Sequence, residues 1–191
     1  MQQYTVQPSA VVAKVEHSVV SYLPTLSENG DSKVPETIPL DAAATVPDNF
    51  VTAFYTLFNQ LGLPIPRSLP ATSPPPLANS PVFIYGAGAT SGRYMIQLLH
   101  SAGYKNILAT ASPKHHDFLR SLGATSLFDY RSPELTNEIA RAVGQEGKVA
   151  VAVDCIATEK TLEQIAQVIS PSGTVAVLLP VKKADDVFVD D

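Results

Sequence analysis

The segment Pro81-Val82-Phe83-Ile84-Tyr85-Gly86-Ala87-Gly88-Ala89-Thr90-Ser91-Gly92 constrains this chain more than any other. An apolar, β-leaning run enters a turn of Gly, Ala, Ser and Thr, and Tyr94-Met95-Ile96-Gln97-Leu98-Leu99 leaves it in helical rhythm. Strand, small-residue turn and helix in that order bring backbone N–H groups and a helix N-terminus against a pyrophosphate. The spacing is Gly86-x-Gly88-x-x-x-Gly92, with Ser91 where the stricter motif has its third glycine. The same pattern also suits a tight strand-to-helix turn with no ligand. The full βαβ context favours a dinucleotide.

Downstream of Pro81 the pattern keeps alternating. Strands are expected at 82–85, 106–110, 126–130, 149–154 and 174–179, with helices at 91–102, 114–122, 134–143 and 160–169. Leu162, Ile165, Ala166 and Ile169 would share one apolar helix face, as would Leu135, Ile139, Ala142 and Val143. The last two strands are apolar nearly throughout, as strands covered on both faces are. Five strands joined by four crossover helices predict an α/β fold with a doubly wound parallel sheet of Rossmann type.

The chain ahead of this core is less regular. Residues 3–6 and 10–15 alternate weakly and suit two short strands, and 27–36 reads as a flexible polar loop. Asp41 suits the cap of a short helix at 42–44. Asp48 suits the cap of a longer one at 49–61, with an apolar stripe of Phe50, Phe54, Leu57, Phe58 and Leu61. Residues 63–81 hold seven prolines and no periodicity, as a linker does.

The tip of the second core strand carries separate information. Folds selective for NAD place Asp or Glu about 20 residues past the glycines to accept the ribose hydroxyls. Here the sequence is Thr110-Ala111-Ser112-Pro113-Lys114, with no carboxylate. Ser112 and Lys114 can donate to a 2′-phosphate that an acid would repel, so NADP is expected as the cofactor. Ser112-Pro113 also suits a plain helix start, and both roles are compatible. Tyr130, ending the third strand, either stacks on the adenosine or packs.

Other chemistry is weaker. His115-His116-Asp117 lacks the i, i+4 partner of a metal site and reads as a solvated helix face. Cys155 has no histidine neighbour in sequence and reads as a buried small hydrophobe. None of the seven tyrosines has lysine four positions on, which excludes the Tyr-x-x-x-Lys reductase mechanism. An S-adenosylmethionine methyltransferase would want an acid near Ser112.

Net charge and cysteine content narrow the partners. At 191 residues with a formal charge of −5, the chain lacks the basic balance of nucleic-acid or anionic-membrane binders. No apolar run approaches the roughly 18–20 residues that span a bilayer, and the start has no signal-peptide pattern. One cysteine permits no internal disulfide, so a soluble, reducing compartment such as the cytoplasm is expected.

With these residues in place, the chain resembles the medium-chain dehydrogenase/reductase superfamily. Within it, the chain is similar to the zinc-independent, trans-acting enoyl reductases of fungal polyketide synthesis. The motifs are Gln3-Tyr4-Thr5-Val6, Leu40 to Pro47 followed by Thr52-Ala53, Tyr85 to Gly92, Gly103-Tyr104, Ala109 to Pro113, Gly123-Ala124 and Phe128-Asp129-Tyr130. The resemblance implies three regions: 1–40 as the edge of a catalytic barrel with a flexible loop, 41–80 as junction helices and linker, and 81–191 as an NADP-binding domain. A complete member has a barrel ahead of this chain and further strand and helix after it. The departures also include Asp48-Asn49 in place of a small apolar pair.

The resemblance further implies site residues. Gly86 and Gly92 shape the turn, and Gly88, Ala89, Thr90 and Ser91 contact the pyrophosphate. Ser112, Lys114 and His115 reach the 2′-phosphate, Tyr130 reaches the adenosine, and Thr52 with the backbone of Leu178 and Leu179 lies along the nicotinamide. The implied activity is hydride transfer from NADPH to the β-carbon of a small-molecule or carrier-bound enoyl thioester. The alternative is an NADP-binding module or docking subunit without turnover. An open edge at the last strand would favour a homodimer or another partner chain.

Overall fold

The computed structural model describes residues 46–144 and 147–181. The expected strands at 3–6 and 10–15, the loop at 27–36 and the helix at 42–44 lie outside the described residues.

The order of elements follows the alternation. A helical segment, α1, runs through Val46–Phe50, Val51–Phe54 and Tyr55–Gln60, its outer thirds wound as π-helix. Then come β1 (Val82–Tyr85), α2 (Thr90–Ser101), β2 (Ile107–Ala111), a 3₁₀ turn (Pro113–His115) leading into α3 (His116–Ser121), and β3 (Ser126–Asp129). The chain continues as α4 (Leu135–Val143), β4 (Val149–Asp154), α5 (Glu159–Val168) and β5 (Ile169–Val177). The five strands form one sheet in the order β3-β2-β1-β4-β5, with every pair parallel. Strand order reverses around β1, so the carboxyl tip of β1 is the switch point where ligands of such sheets bind.

Burial explains why the central strands are continuous apolar runs. Every residue of β1 and β2 is buried, because α1 and α2 cover one face while α4 and α5 cover the other. On the first face Ile84, Met95, Ile96, Leu99 and Ile107 are sealed from solvent. On the second, Phe83, Leu108, Ile139 and Ile165 are. Each such side chain contributes about 2 kcal/mol on burial. Helix α5 starts with a reciprocal cap: Thr158 Oγ1 accepts from Thr161 N at 3.2 Å, and Thr161 Oγ1 accepts from Thr158 N at 3.0 Å.

Five expectations need correction. The helix predicted from Asp48 begins at Val46, so Asp48 stands in its first turn. Pro47 lacks an N–H and fits that turn without loss, and the Asp48 carboxylate favours the positive end of the helix. The final strand begins at Ile169, not 174, and ends at Val177, short of Leu178 and Leu179. An irregularity absorbs the difference, because Val149 pairs with Ile169 while Val151 pairs with Thr174. Ile169 therefore leaves the helix, and α5 buries Thr161, Ile165 and Val168 while Ala166 is exposed. In α4, Leu135 and Ile139 are buried as expected, but Ala142 is exposed. Finally, β5 is not covered on both faces: none of its residues is fully buried, and Val177 is 38% exposed. Among the described residues no helix is long and apolar enough to cross a membrane.

Candidate coenzyme site

The turn after β1 is held by β2. Thr110, with no exposed surface, accepts from Gly86 N through its hydroxyl at 2.9 Å, and its carbonyl accepts from Ala87 N at 2.9 Å. Two successive N–H groups of the turn are thereby fixed before any ligand arrives. Sequence reading missed Thr110 in this role. A Thr at the inner tip of an otherwise apolar strand, 24 positions from a glycine turn, was the available signal.

Two glycines have steric reasons to be glycine. Gly86 sits at φ +78°, where L side chains are strained. At Gly92 an added Cβ would lie 2.7 Å from Ala87 Cα and 3.3 Å from Gly86 O, both backbone atoms. The first turn of α2 thus packs directly on the loop that precedes it. At Gly88 the one neighbour of an added Cβ within 4 Å among the described residues would be His115 Cδ2 at 3.8 Å. That position is open toward the space in front of the sheet.

Helix α2 starts at Thr90, and its cap residue Ala89 has no side-chain acceptor. Its first N–H groups are therefore available to an anion at the positive end of the helix dipole. Ser91, expected at the pyrophosphate, donates from Oγ to Asn49 Oδ1 at 2.9 Å. That bond ties α1 to the turn, and the edge-on Phe50–Tyr94 ring pair at 5.6 Å ties it further along α2. Thr52, half-buried, follows Asn49 by one helical turn.

At the tip of β2, Ser112 is half-buried, Lys114 is exposed, and His115 faces Gly88 as described. The Nε2 of His116 lies 3.2 Å from Ala111 O, and the His116 ring lies near enough to Asp129 to act on its carboxyl. Tyr130 is 42% exposed, and the Arg131 guanidinium lies 5.3 Å over its ring. At the tip of β4, Asp154 is fully buried. Its Oδ1 accepts from Ile156 N at 2.9 Å and Ala157 N at 3.0 Å, and its Oδ2 accepts from Thr161 Oγ1 at 2.5 Å. Asp154 is thus a structural clamp on the β4–α5 loop. Its carbonyl accepts from Leu178 N at 3.0 Å, which brings Leu178 to the same edge of the sheet, while Leu179 is 50% exposed.

The neighbouring groups are set for packing more than for proton transfer. Burial, aided by the Asp154 charge, pushes the Cys155 thiol up to about 12, so it stays a thiol at neutral pH. Burial first, then Asp154 and Tyr130, raises the Tyr85 phenol to about 12, and its OH donates to Gln164 Oε1 at 2.7 Å.

Comparison with known proteins agrees with this geometry. The zinc-binding dehydrogenase family model matches residues 92–187. A trans-enoyl reductase from Gibberella fujikuroi is 34% identical over 141 residues, covering 74% of this chain and 38% of the relative. A trans-enoyl reductase from Aspergillus japonicus is 32% identical over 173 residues, covering 90% of this chain and 48% of the relative. Among solved structures, the CurK enoyl reductase superposes with a TM-score of 0.62 at 28% identity, covering 77% of this chain and 39% of that one. The chain thus spans less than half the length of these relatives. Although the family's description names zinc, no group of three or more His, Cys, Asp or Glu among the described residues is placed to hold a metal. A parallel sheet reversing at β1, a glycine turn locked by Thr110 and these matches converge: the chain belongs to the zinc-binding dehydrogenase family of the medium-chain dehydrogenase/reductase superfamily, and is enoyl reductase-like over part of its relatives' length.

Proposed function

We propose that this chain is the coenzyme-holding part of an NADPH-dependent enoyl reductase. The observation that carries the reading is the tip of β2. Ser112, Lys114 and His115 stand there in place of the carboxylate that would select a free ribose diol. In this reading the N-terminus of α2 and the N–H groups of Gly88 and Thr90 hold the pyrophosphate, while the Ala89 N–H donates to Gly86 O and keeps the turn in shape. The hydroxyl of Ser112, the Lys114 ammonium and the His115 ring hold the 2′-phosphate, and Tyr130 lies against the adenosine. Thr52 and the backbone of Leu178 and Leu179 border the nicotinamide, which when bound supplies the hydride. The reductase names of the relatives support an α,β-unsaturated thioester as acceptor.

Fluorescence titration of the chain with NADPH and NADH tests the cofactor. The expected result is tighter NADPH binding by about tenfold or more, the scale of one charge-assisted contact. Equal affinities would refute it. Loss of NADPH absorbance with crotonyl or longer enoyl thioesters tests the activity. Binding without turnover would assign the chain as a nucleotide-binding module.

A further inference from the structure

The Lys114 cation at the β2 tip is joined by another that the sequence did not single out. In the β2–β3 register Ala111 pairs with Asp129, so a carboxylate does stand at this corner of the site, one strand over. Left bare, it would repel a 2′-phosphate and offer an acceptor to a ribose diol. Arg131 covers it. Its Nε donates to Asp129 Oδ1 at 3.0 Å, its Nη2 to Oδ2 at 3.3 Å, and its backbone N–H to Oδ1 at 3.1 Å. The same Nη2 also reaches Ser112 Oγ at 3.5 Å, the long limit of a hydrogen bond. The guanidinium therefore bridges the tips of β3 and β2 while resting over the Tyr130 ring. Hydrogen bonds from Arg131 hold the Asp129 carboxyl below its usual range, so the pair is charged at neutral pH. Only part of the guanidinium faces Asp129. Its Nη1 donors lie outside the pair, and a planar fork can serve a carboxylate and a phosphate together.

We propose that Arg131 sets the phosphate selectivity of this site, masking the Asp129 carboxylate and presenting its remaining donors, with Ser112, to the 2′-phosphate. This rests on the NADPH reading above and adds a residue and a sign to it. A lysine would neutralise Asp129 but cannot span both tips with a rigid fork. A small residue would leave an acid beside the ribose, which favours NADH.

The test measures affinities of the full chain for NADPH and NADH, with thermal unfolding as a check on folding. Arg131 is solvent-exposed, so Arg131→Ala should leave the fold intact. Its NADPH-to-NADH affinity ratio should fall about tenfold or more, chiefly by weaker NADPH binding. Arg131→Lys should keep an intermediate ratio. Adding Asp129→Asn to Arg131→Ala should recover part of the loss, because the exposed acid is then gone. A purely structural role would lower both affinities together and leave the ratio unchanged, which overturns the proposal. If the unsubstituted chain prefers NADPH and Arg131→Ala keeps that preference, Arg131 alone is refuted. If the unsubstituted chain shows no preference, the NADPH reading falls and this proposal with it.

Discussion

Strands β1 and β2 bury every residue, whereas β5, at one edge of the same sheet, fully buries none. The difference teaches where rigidity resides. On the β1–β2 side the glycine turn is clamped by Thr110 and backed by α2 packed directly on the loop. A ligand at this tip would meet a turn already shaped, so little ordering cost would attend binding. On the β5 side, Val177 and Leu179 face solvent, and Leu178 is fixed by one backbone bond to Asp154.

Gly92→Ala strikes the buried side hardest. The added methyl meets backbone at 2.7 Å, and no rotamer relieves it. We expect a loss of about 3 kcal/mol in urea unfolding, together with loss of NADPH binding. A variant that folds and binds normally would show that the turn is looser than this packing requires.

Alkaline pH attacks the same side. The Tyr85 and Tyr104 phenols are each raised from 10.0 to about 12, chiefly by burial. Between those values the unfolded chain loses protons that the fold retains, so stability is intact below pH about 10 and falls as pH approaches about 12. Tyr85→Phe should flatten part of that slope in unfolding measured across the range. An unchanged slope would mean that Tyr85 is not the titrating group.

The smallest effect belongs to the other edge. Val177→Lys should change stability by less than about 0.5 kcal/mol, since the site is already 38% exposed. If this edge pairs with a second copy, light scattering should show a dimer that the lysine disperses. A monodisperse monomer without the substitution would count against that pairing. A large stability loss from Val177→Lys would break the contrast between the two sides.

Much of this architecture is legible in residue order. Strand-turn-helix periodicity depends on neighbours within a few positions, so β1 through β4 and their helices fall within a few residues of expectation. The boundary of β5 does not, because Ile169 has the same apolar character on a helix face or at a strand start. Its pairing with Val149 decides the matter. The glycine turn and the missing acid after β2 were likewise readable, being local facts of sequence. Long-range bonds were not: Thr110 to Gly86, Ser91 to Asn49 and Arg131 to Ser112 join residues separated by 24, 42 and 19 positions. Sequence alone determined that this chain would build a parallel sheet with a glycine turn at the tip of its first strand, since burial and backbone propensity act locally. Only the tertiary structure decided which side chains lock that turn and which serine the Arg131 guanidinium reaches. Those pairings arise from the register of neighbouring strands, which no single segment encodes.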